Sequence, residues 1–338
     1  MKDKKRQRKY FSYKKMRETF ENSDDKIEKR VLEKILSDYE HNHKNELFDF
    51  EKMLKEGHQN VCPNCGSIHV VKDGKNRNGT ARLKCSDCKK RFNPTSHSFF
   101  YSTKVNMDAW LTFVEGIVSE TSIKSACTSA KISIVTGTSW MKKIFKVLEN
   151  YQDSIVLEGD IYIDETYVHE DSSKIYYKEE IDEETKIRKQ PRGISRNKIG
   201  ILLATNSKQS FAKIIGHGRP ARLKNYEICL QHIKPGSSII GDEDKSLTYA
   251  AKKLDLNRTT FKANTQEAYD NLKPIDELCK YFKFFIDKHR GFKKEALQDY
   301  INLFIFLHNE KINDAAPYKI AEKLLKMLFT FQKTDEKD

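Results

Sequence analysis

Four cysteines and three aspartates are the residues of this chain whose types and spacing suit chemistry. Cys62-Pro63-Asn64-Cys65 and Cys85-Ser86-Asp87-Cys88 are two Cys-x-x-Cys pairs in one 27-residue stretch, with nineteen residues between them. That spacing suits a four-thiolate Zn²⁺ site, because a soft tetrahedral ion accepts four sulfurs and two intervening residues let one tight turn present a pair. Gly66 follows the first pair, where such a turn asks for positive φ. A site of this kind holds a small module together, often beside nucleic acid. The aspartates point to different chemistry. Asp164 closes the alternating run Ile161-Tyr162-Ile163, with Glu165-Thr166 after it, and Asp242 closes Ser238-Ile239-Ile240-Gly241. Two strand-end aspartates from separate parts of a sheet can converge on Mg²⁺, a hard ion that takes oxygen ligands. Solvated strand-end carboxylates have the same sequence signature. Asp276 and Lys283 lie seven apart behind Pro274, which suits the first turn of a helix. On that helix they share a face, about 10 Å apart along the axis, which separates a metal ligand from a cation meant for a more distant phosphate. Seven is also an ordinary helical repeat.

The elements that must position these residues can be read from periodicity. Val70-Val71 and 81–83 are short strand candidates around the turns at Gly74 and Gly79. Three helices are predicted between residues 106 and 152. The first carries Trp110, Phe113, Val114 and Ile117 on one face, and the second turns Ile123, Ala126, Cys127 and Ala130 inward. The third has Trp140, Ile144 and Leu148 at i, i+4, i+8, with Ser133 as its N-cap. Two short helices across a tight turn make a helix-turn-helix layout, and a plain helical linker is the competing reading. Gly137 inside the third helix costs that helix about 1 kcal/mol. Beyond residue 155 the period changes to strands at 161–164, 199–204, 211–215, 238–240 and 259–262, with helices from Pro274 onward. Strands followed by interleaved helices predict a mixed α/β sheet. Ile320, Leu324 and Leu328 mark a last amphipathic helix that could pack on the core or on a second subunit.

Composition bounds the partners. The 338 residues carry 62 Lys+Arg against 49 Asp+Glu, a formal charge of +13, which favours a polyanion. The first 18 residues hold nine Lys or Arg with Tyr10, Phe11 and Tyr13 among them, either a basic arm on DNA or a solvated tail. Cys127, Cys229 and Cys279 are scattered, which suits a reducing compartment and not a disulfide framework. No apolar run reaches the roughly 18 residues of a membrane span, and the N-terminus lacks the apolar core of a signal peptide.

The chain resembles the DDE-type transposases of bacterial insertion sequences, in the branch with an N-terminal zinc ribbon (the ISXO-like transposases). The resemblance spans about residues 50 to 309. It rests on Cys-Pro-x-Cys-Gly with the second Cys-x-x-Cys, the three-helix segment, Ile163-Asp164-Glu165-Thr166-Tyr167, Arg192-Gly193-Ile194-Ser195 leading into 199–204, and Gly241-Asp242. Its most specific part is the block 271–283, followed by His289-Arg290-Gly291 and 300–309. The resemblance implies a ribonuclease-H-like catalytic domain with Asp164, Asp242 and Asp276 as ligands of catalytic Mg²⁺ or Mn²⁺ and Lys283 as a phosphate-binding cation. It further implies structural Zn²⁺ on Cys62, Cys65, Cys85 and Cys88, double-stranded DNA (element ends and target) as partner, a homodimer or higher oligomer on DNA, and a bacterial cytoplasmic, nucleoid-associated protein. Lys142 and Lys143 on the third helix would touch DNA phosphates. The domain organisation follows: a basic and helical segment at 1–57, ribbon at 58–100, helix-turn-helix at 101–152, catalytic domain at 153–310 with an insertion at 169–198, and a C-terminal helix at 311–338. Two departures stand out. Asp276 occupies a position where the family has Asn or Glu. Glu243 follows Asp242, and Asp244 leaves the second ligand open between 242 and 244, with Asp242 preferred because it directly ends the apolar strand. The alternatives are a catalytically inactive, domesticated zinc-ribbon DNA-binding regulator, and a zinc-ribbon protein of RNA or transcription machinery with an unrelated α/β domain.

Overall fold

The computed structural model describes residues 61–75, 81–101, 107–169, 198–218, 222–289, 294–313 and 315–330, together with residue 35. The expected basic arm, the helical stretch before residue 55, Arg192 to Ser195 and Arg290-Gly291 lie outside them. The chain divides into two compact units, one holding Met1–Ser119, Lys124–Gly137 and Ala316–Asp338, the other Glu120–Ile123 and Thr138–Ala315.

In the first unit, β1 (Val70–Lys75), β2 (Ala81–Cys85) and β3 (Arg91–Phe92) form an antiparallel sheet in that order. The third strand was not anticipated; two residues are too few to carry a period. The core of this sheet is small: Cys62, Leu83, Cys85 and Phe92, with Val70 and Cys88 packed against it. Helix α1 (Met107–Val118) buries Trp110, Phe113, Val114 and Ile117 completely, each contributing about 1.5–3 kcal/mol by leaving water. Helix α2 (Ile123–Ser129) buries Ala126 and Cys127. The Thr136 N–H donates to Ser133 Oγ at 3.1 Å, the N-cap expected for α3 (Ile134–Leu148). Gly137 is more than a helix-weakening residue, because a Cβ there would stand 2.1 Å from Cys127 Sγ and 3.2 Å from the Phe113 ring. Its propensity cost is the condition for close approach of the helices.

The second unit is built on a five-stranded mixed sheet in the order β6-β5-β4-β7-β8. These strands are β4 (Asp160–His169), β5 (Lys198–Thr205), β6 (Ser210–His217), β7 (Ser238–Asp242) and β8 (Asn257–Phe261). β4, β5 and β6 are antiparallel neighbours, whereas β7 runs parallel to β4 and β8 parallel to β7. This is the mixed α/β sheet expected from the strand and helix periods. β5 is buried along nearly its whole length, as an unbroken Ile-Gly-Ile-Leu-Leu-Ala run requires when both faces are covered.

Three expectations need correction. Asp164 does not end its strand: β4 stays paired with β5 out to His169↔Lys198, and only the parallel pairing with β7 stops, at Tyr162↔Ile240. For the same reason the insertion cannot include 169 and 198, which are ladder partners. Helices also come before Pro274: α4 (Arg222–His232), α5 (Lys245–Lys253) and α6 (Gln266–Asn271) alternate with the strands. They precede α7 (Lys273–Lys288), α8 (Leu297–Ile312) and, in the first unit, α9 (Pro317–Thr330). Helix α9 buries Ile320, Leu324 and Leu328, and Phe100 there meets Trp110 edge-on at 5.1 Å and Phe329 at 6.4 Å.

β6 is an edge strand, and an edge exposes unpaired backbone groups. Amide side chains cover this one. Asn309 accepts from Ser210 N at 2.8 Å and donates to Ser210 O at 3.0 Å, Gln152 accepts from Ala212 N at 2.7 Å, and Gln298 accepts from Ile214 N at 3.3 Å. The alternation 210, 212, 214 is the outward-facing set of N–H groups on a β-edge.

Candidate active site

Asp164 and Asp242 are brought together by strand register. β4 and β7 pair in parallel through Tyr162↔Ile240, so two residues further on both strands Asp164 lies level with Asp242. A step of two keeps side chains on one face, so both carboxylates lie on the same side of the sheet. Gly241 lets the strands close here: a Cβ at 241 would lie 2.5 Å from the carbonyl oxygen of Ile163. Helix α7 packs on β4 and β5 and contributes Asp276 from its first turn, with Pro274 in that same turn. Asp164, Asp276, Lys280, Lys283, Phe284 and Asp287 line one open cleft of about 390 Å³. Asp276, Lys280, Lys283 and Asp287 follow i, i+4, i+7, i+11, a single stripe along the helix. Sequence reasoning found two of the four; the same stripe also points to Lys280 and Asp287.

Electrostatics tie the three aspartates together. The Asp164 carboxyl is pushed up to about 7, first by burial, then by the negative charges of Asp242, Asp276 and Glu165, against an opposing hydrogen bond from the Glu165 N–H at 2.7 Å. Asp276 is raised by burial, with Lys283 pulling the other way. Cys279, also in the cleft, is pushed up to about 12 by burial and by the charges of Asp164 and Asp276, opposed by Lys283. The cleft sets half-buried Asp164 beside the exposed carboxylates of Asp276 and Asp287, oxygen ligands of the kind hard divalent cations take.

Asp244 is differently employed. Its Oδ1 caps α5, accepting from Ser246 N at 2.6 Å and Leu247 N at 3.1 Å, and it contacts the Ser246 hydroxyl. Asp242 Oδ1 takes a single N–H, from Asp244 at 3.0 Å. Glu165 is occupied too: Oε1 accepts from Asn225 at 2.5 Å and Ser246 at 3.1 Å, and Oε2 from Tyr167 at 2.7 Å. Arg258 on β8, which sequence reasoning missed, donates from Nη2 to the Asp242 carbonyl at 2.5 Å. Burial lowers its pKa, while Asp242 and Asp244 hold its charge in place.

The cysteine quartet is a separate cluster in the first unit. All four sulfurs lie within 4.8 Å of one another, with Cys62···Cys88 and Cys65···Cys85 each 3.6 Å apart. A tetrahedron with Zn–S bonds of about 2.3 Å has edges of about 3.8 Å, so the four thiols fit that ion. Gly66 adopts φ +72° and its N–H donates to the Cys62 carbonyl at 2.9 Å, closing the turn as expected. The Cys85 thiol is drawn down to about 6, first by the Cys88 N–H. Against a backbone hydrogen bond from Ser67, the sulfur neighbours Cys88, Cys85 and Cys62 push the Cys65 thiol up to about 12, so without a metal ion the sulfurs share protons unequally. Among the described residues this quartet alone gathers three or more such ligand atoms within 4.8 Å, so the three aspartates form a wider arrangement than a closed single-ion cage. Lys142 is exposed on α3 and Lys143 is half-buried.

No helix among the described residues is long and apolar enough to cross a membrane. No family model and no curated protein matches the chain. Solved structures similar to it include the Mos1 strand transfer complex (TM-score 0.30, 10% identity, covering 66% of this chain and 78% of that one). Others are the Mos1 mariner paired-end complex with Mn (0.29, 10%, 65% and 78%) and the catalytic domain of Mos1 mariner transposase (0.27, 8%, 56% and 92%).

Proposed function

We propose that this protein is a DDE-type DNA transposase that binds the terminal repeats of its element, cleaves DNA and joins the 3′ ends to target DNA. The observation that carries the reading is the parallel register of β4 and β7, whose last pair Tyr162↔Ile240 leaves Asp164 and Asp242 each two residues further on, with Asp276 close enough to raise the Asp164 pKa. Asp164, Asp242 and Asp276 would hold two Mg²⁺ or Mn²⁺ ions. When bound, such a pair activates the attacking oxygen and stabilises the leaving oxygen of an in-line phosphoryl displacement. The side chains have distinct tasks in this scheme. Asp164 must lose its proton to act as a ligand, Gly241 lets the end of β7 approach β4, and Arg258 ties that end to β8 through the Asp242 carbonyl. Lys283, one face of α7 along from Asp276, offers its ammonium to a phosphate of the bound strand. Asp244 is assigned to the α5 cap and Asp242 to the metal.

The cysteine quartet would hold structural Zn²⁺, with the ribbon at 58–100 and the helices of 101–152 finding the DNA. Lys142 and Lys143 would touch phosphates, which set register and read no bases. The catalytic domain spans 153–310, and the active form is a dimer or higher oligomer on DNA. The test is strand transfer: wild-type protein with Mg²⁺, a labelled duplex carrying the inverted repeat that flanks the gene, and a supercoiled plasmid. Joined products support the transposase reading. Binding of the repeat with neither cutting nor joining would instead favour an inactive DNA-binding regulator.

A further inference from the structure

We propose that Phe284, together with Lys280, forms a stacking seat for an unpaired nucleotide base at the rim of the carboxylate cleft. The inference rests on the nucleic-acid reading of that cleft. Helix α7 buries Phe282 and Phe285 at 0% and 1% exposure, yet Phe284 between them is 54% exposed. A solitary exposed apolar side chain needs no explanation in itself; the position of this one does. Phe284 lines the same cleft as Asp164, Asp276 and Lys283, so it faces the place where a strand would be cut. Lys280, one turn earlier on the helix, holds its Nζ 6.0 Å from the centre of the ring, within the range of a cation–π contact.

An aromatic face flanked by two ammonium groups suits a flat π-system that carries phosphate. A base stacks on the ring while the neighbouring phosphate meets Lys280 or Lys283, the combination by which single strands are held without base-specific contacts. Base pairs within a duplex hide their faces in the stack, so the ligand is an unpaired base, as at a frayed end or a single-stranded flank. The dimensions agree: a cleft of about 390 Å³ admits one small planar body and not a folded surface. Asp276 and Asp287 in the same cleft repel a phosphate unless cations are present, so the lysines and bound divalent ions would act together on the backbone.

The test compares wild type, Phe284→Ala and Phe284→Trp on two probes, a blunt duplex and the same duplex carrying a short single-stranded oligothymidine tail with one 2-aminopurine. Phe284→Ala should weaken binding of the tailed probe roughly tenfold, leave blunt-duplex affinity and melting temperature unchanged, and abolish the quenching of 2-aminopurine seen with wild type. Phe284→Trp should retain both affinity and quenching. Equal losses on both probes, or no change on the tailed one, would overturn the seat. Failure of the underlying reading looks different. Wild-type protein that quenches the tail but never cuts DNA in Mg²⁺ removes the nuclease function and keeps the seat; wild-type protein that cuts DNA while Phe284→Ala binds and quenches the tailed probe as wild type does removes the seat alone.

Discussion

The four ribbon thiols come from 27 consecutive residues, whereas Asp164, Asp242 and Asp276 come from two strands and a helix far apart in the chain. The ribbon brings its ligands together by turn geometry, and its own core amounts to Cys62, Leu83, Cys85 and Phe92. Two of those four are themselves proposed ligands, so little would be left to hold β1, β2 and β3 together without an ion on the sulfurs. The carboxylates are positioned by a sheet with Ile161, Ile163, Ile201, Leu203 and Ile239 fully buried, which does not need metal to form. On the proposed reading a local site would depend on its ion for structure, and an assembled site on its structure to hold an ion.

The largest expected effect would break the first half of that comparison. Zinc binding by such a quartet is coupled to folding and typically contributes about 10–16 kcal/mol of apparent free energy. Cys65→Ser or a strong chelator should release the metal and remove amide-exchange protection from 62–92, while protection in β4, β5 and β7 persists. A zinc-free ribbon with full protection would contradict it. Next comes Gly241→Ala, which forces a methyl against the Ile163 carbonyl. It should cost about 1–3 kcal/mol, as overpacking does, and slow DNA cleavage, with zinc content unchanged by elemental analysis. Asp244→Ala removes a helix cap and should cost about 1 kcal/mol in urea unfolding while DNA cleavage continues.

A further effect concerns pH. With its pKa raised to about 7, folded Asp164 keeps a proton that the unfolded chain releases near the ordinary carboxylate range. Its contribution to stability is complete below about pH 4 and is lost as pH rises through about 7. Chelator-treated protein should therefore unfold more easily at pH 8 than at pH 5, and Asp164→Asn should flatten that slope. A steeper slope in the Asn variant would contradict the assignment.

What could be read from the sequence follows the same division. Cys-x-x-Cys spacing and the turn at Gly66 are local facts, and so are the burial stripe of α1 and the cap at Ser133. The alternation Ile161-Tyr162-Ile163-Asp164 marks a strand and a candidate ligand, but not that the strand runs on to His169, because that depends on pairing with β5 across an insertion. The approach of Asp164 to Asp242 depends on register between segments nearly eighty residues apart, for which no short-range pattern exists. Gly241 and Arg258 matter through what they touch across strands. Helix α4 was missed because Arg222-Leu223-Lys224-Asn225 begins it with a weak apolar stripe, and Leu223 and Leu230 remain exposed. The proposed choice of Asp242 over Asp244 draws on the hydrogen bonds by which Asp244 caps α5, which spacing alone cannot supply.

The central claim is that Asp164, Asp242 and Asp276 act as one metal-binding unit on DNA. The most direct measurement is the rate of Mg²⁺-dependent cleavage of a terminal-repeat duplex by Asp164→Ala, Asp242→Ala, Asp276→Ala and Asp244→Ala, with duplex affinity measured in parallel. Each of the first three should lose at least roughly 100-fold in rate with affinity unchanged, and Asp244→Ala should remain close to wild type. Cleavage at the wild-type rate by any of the three, or loss of cleavage in Asp244→Ala with Asp242→Ala still active, would contradict the account.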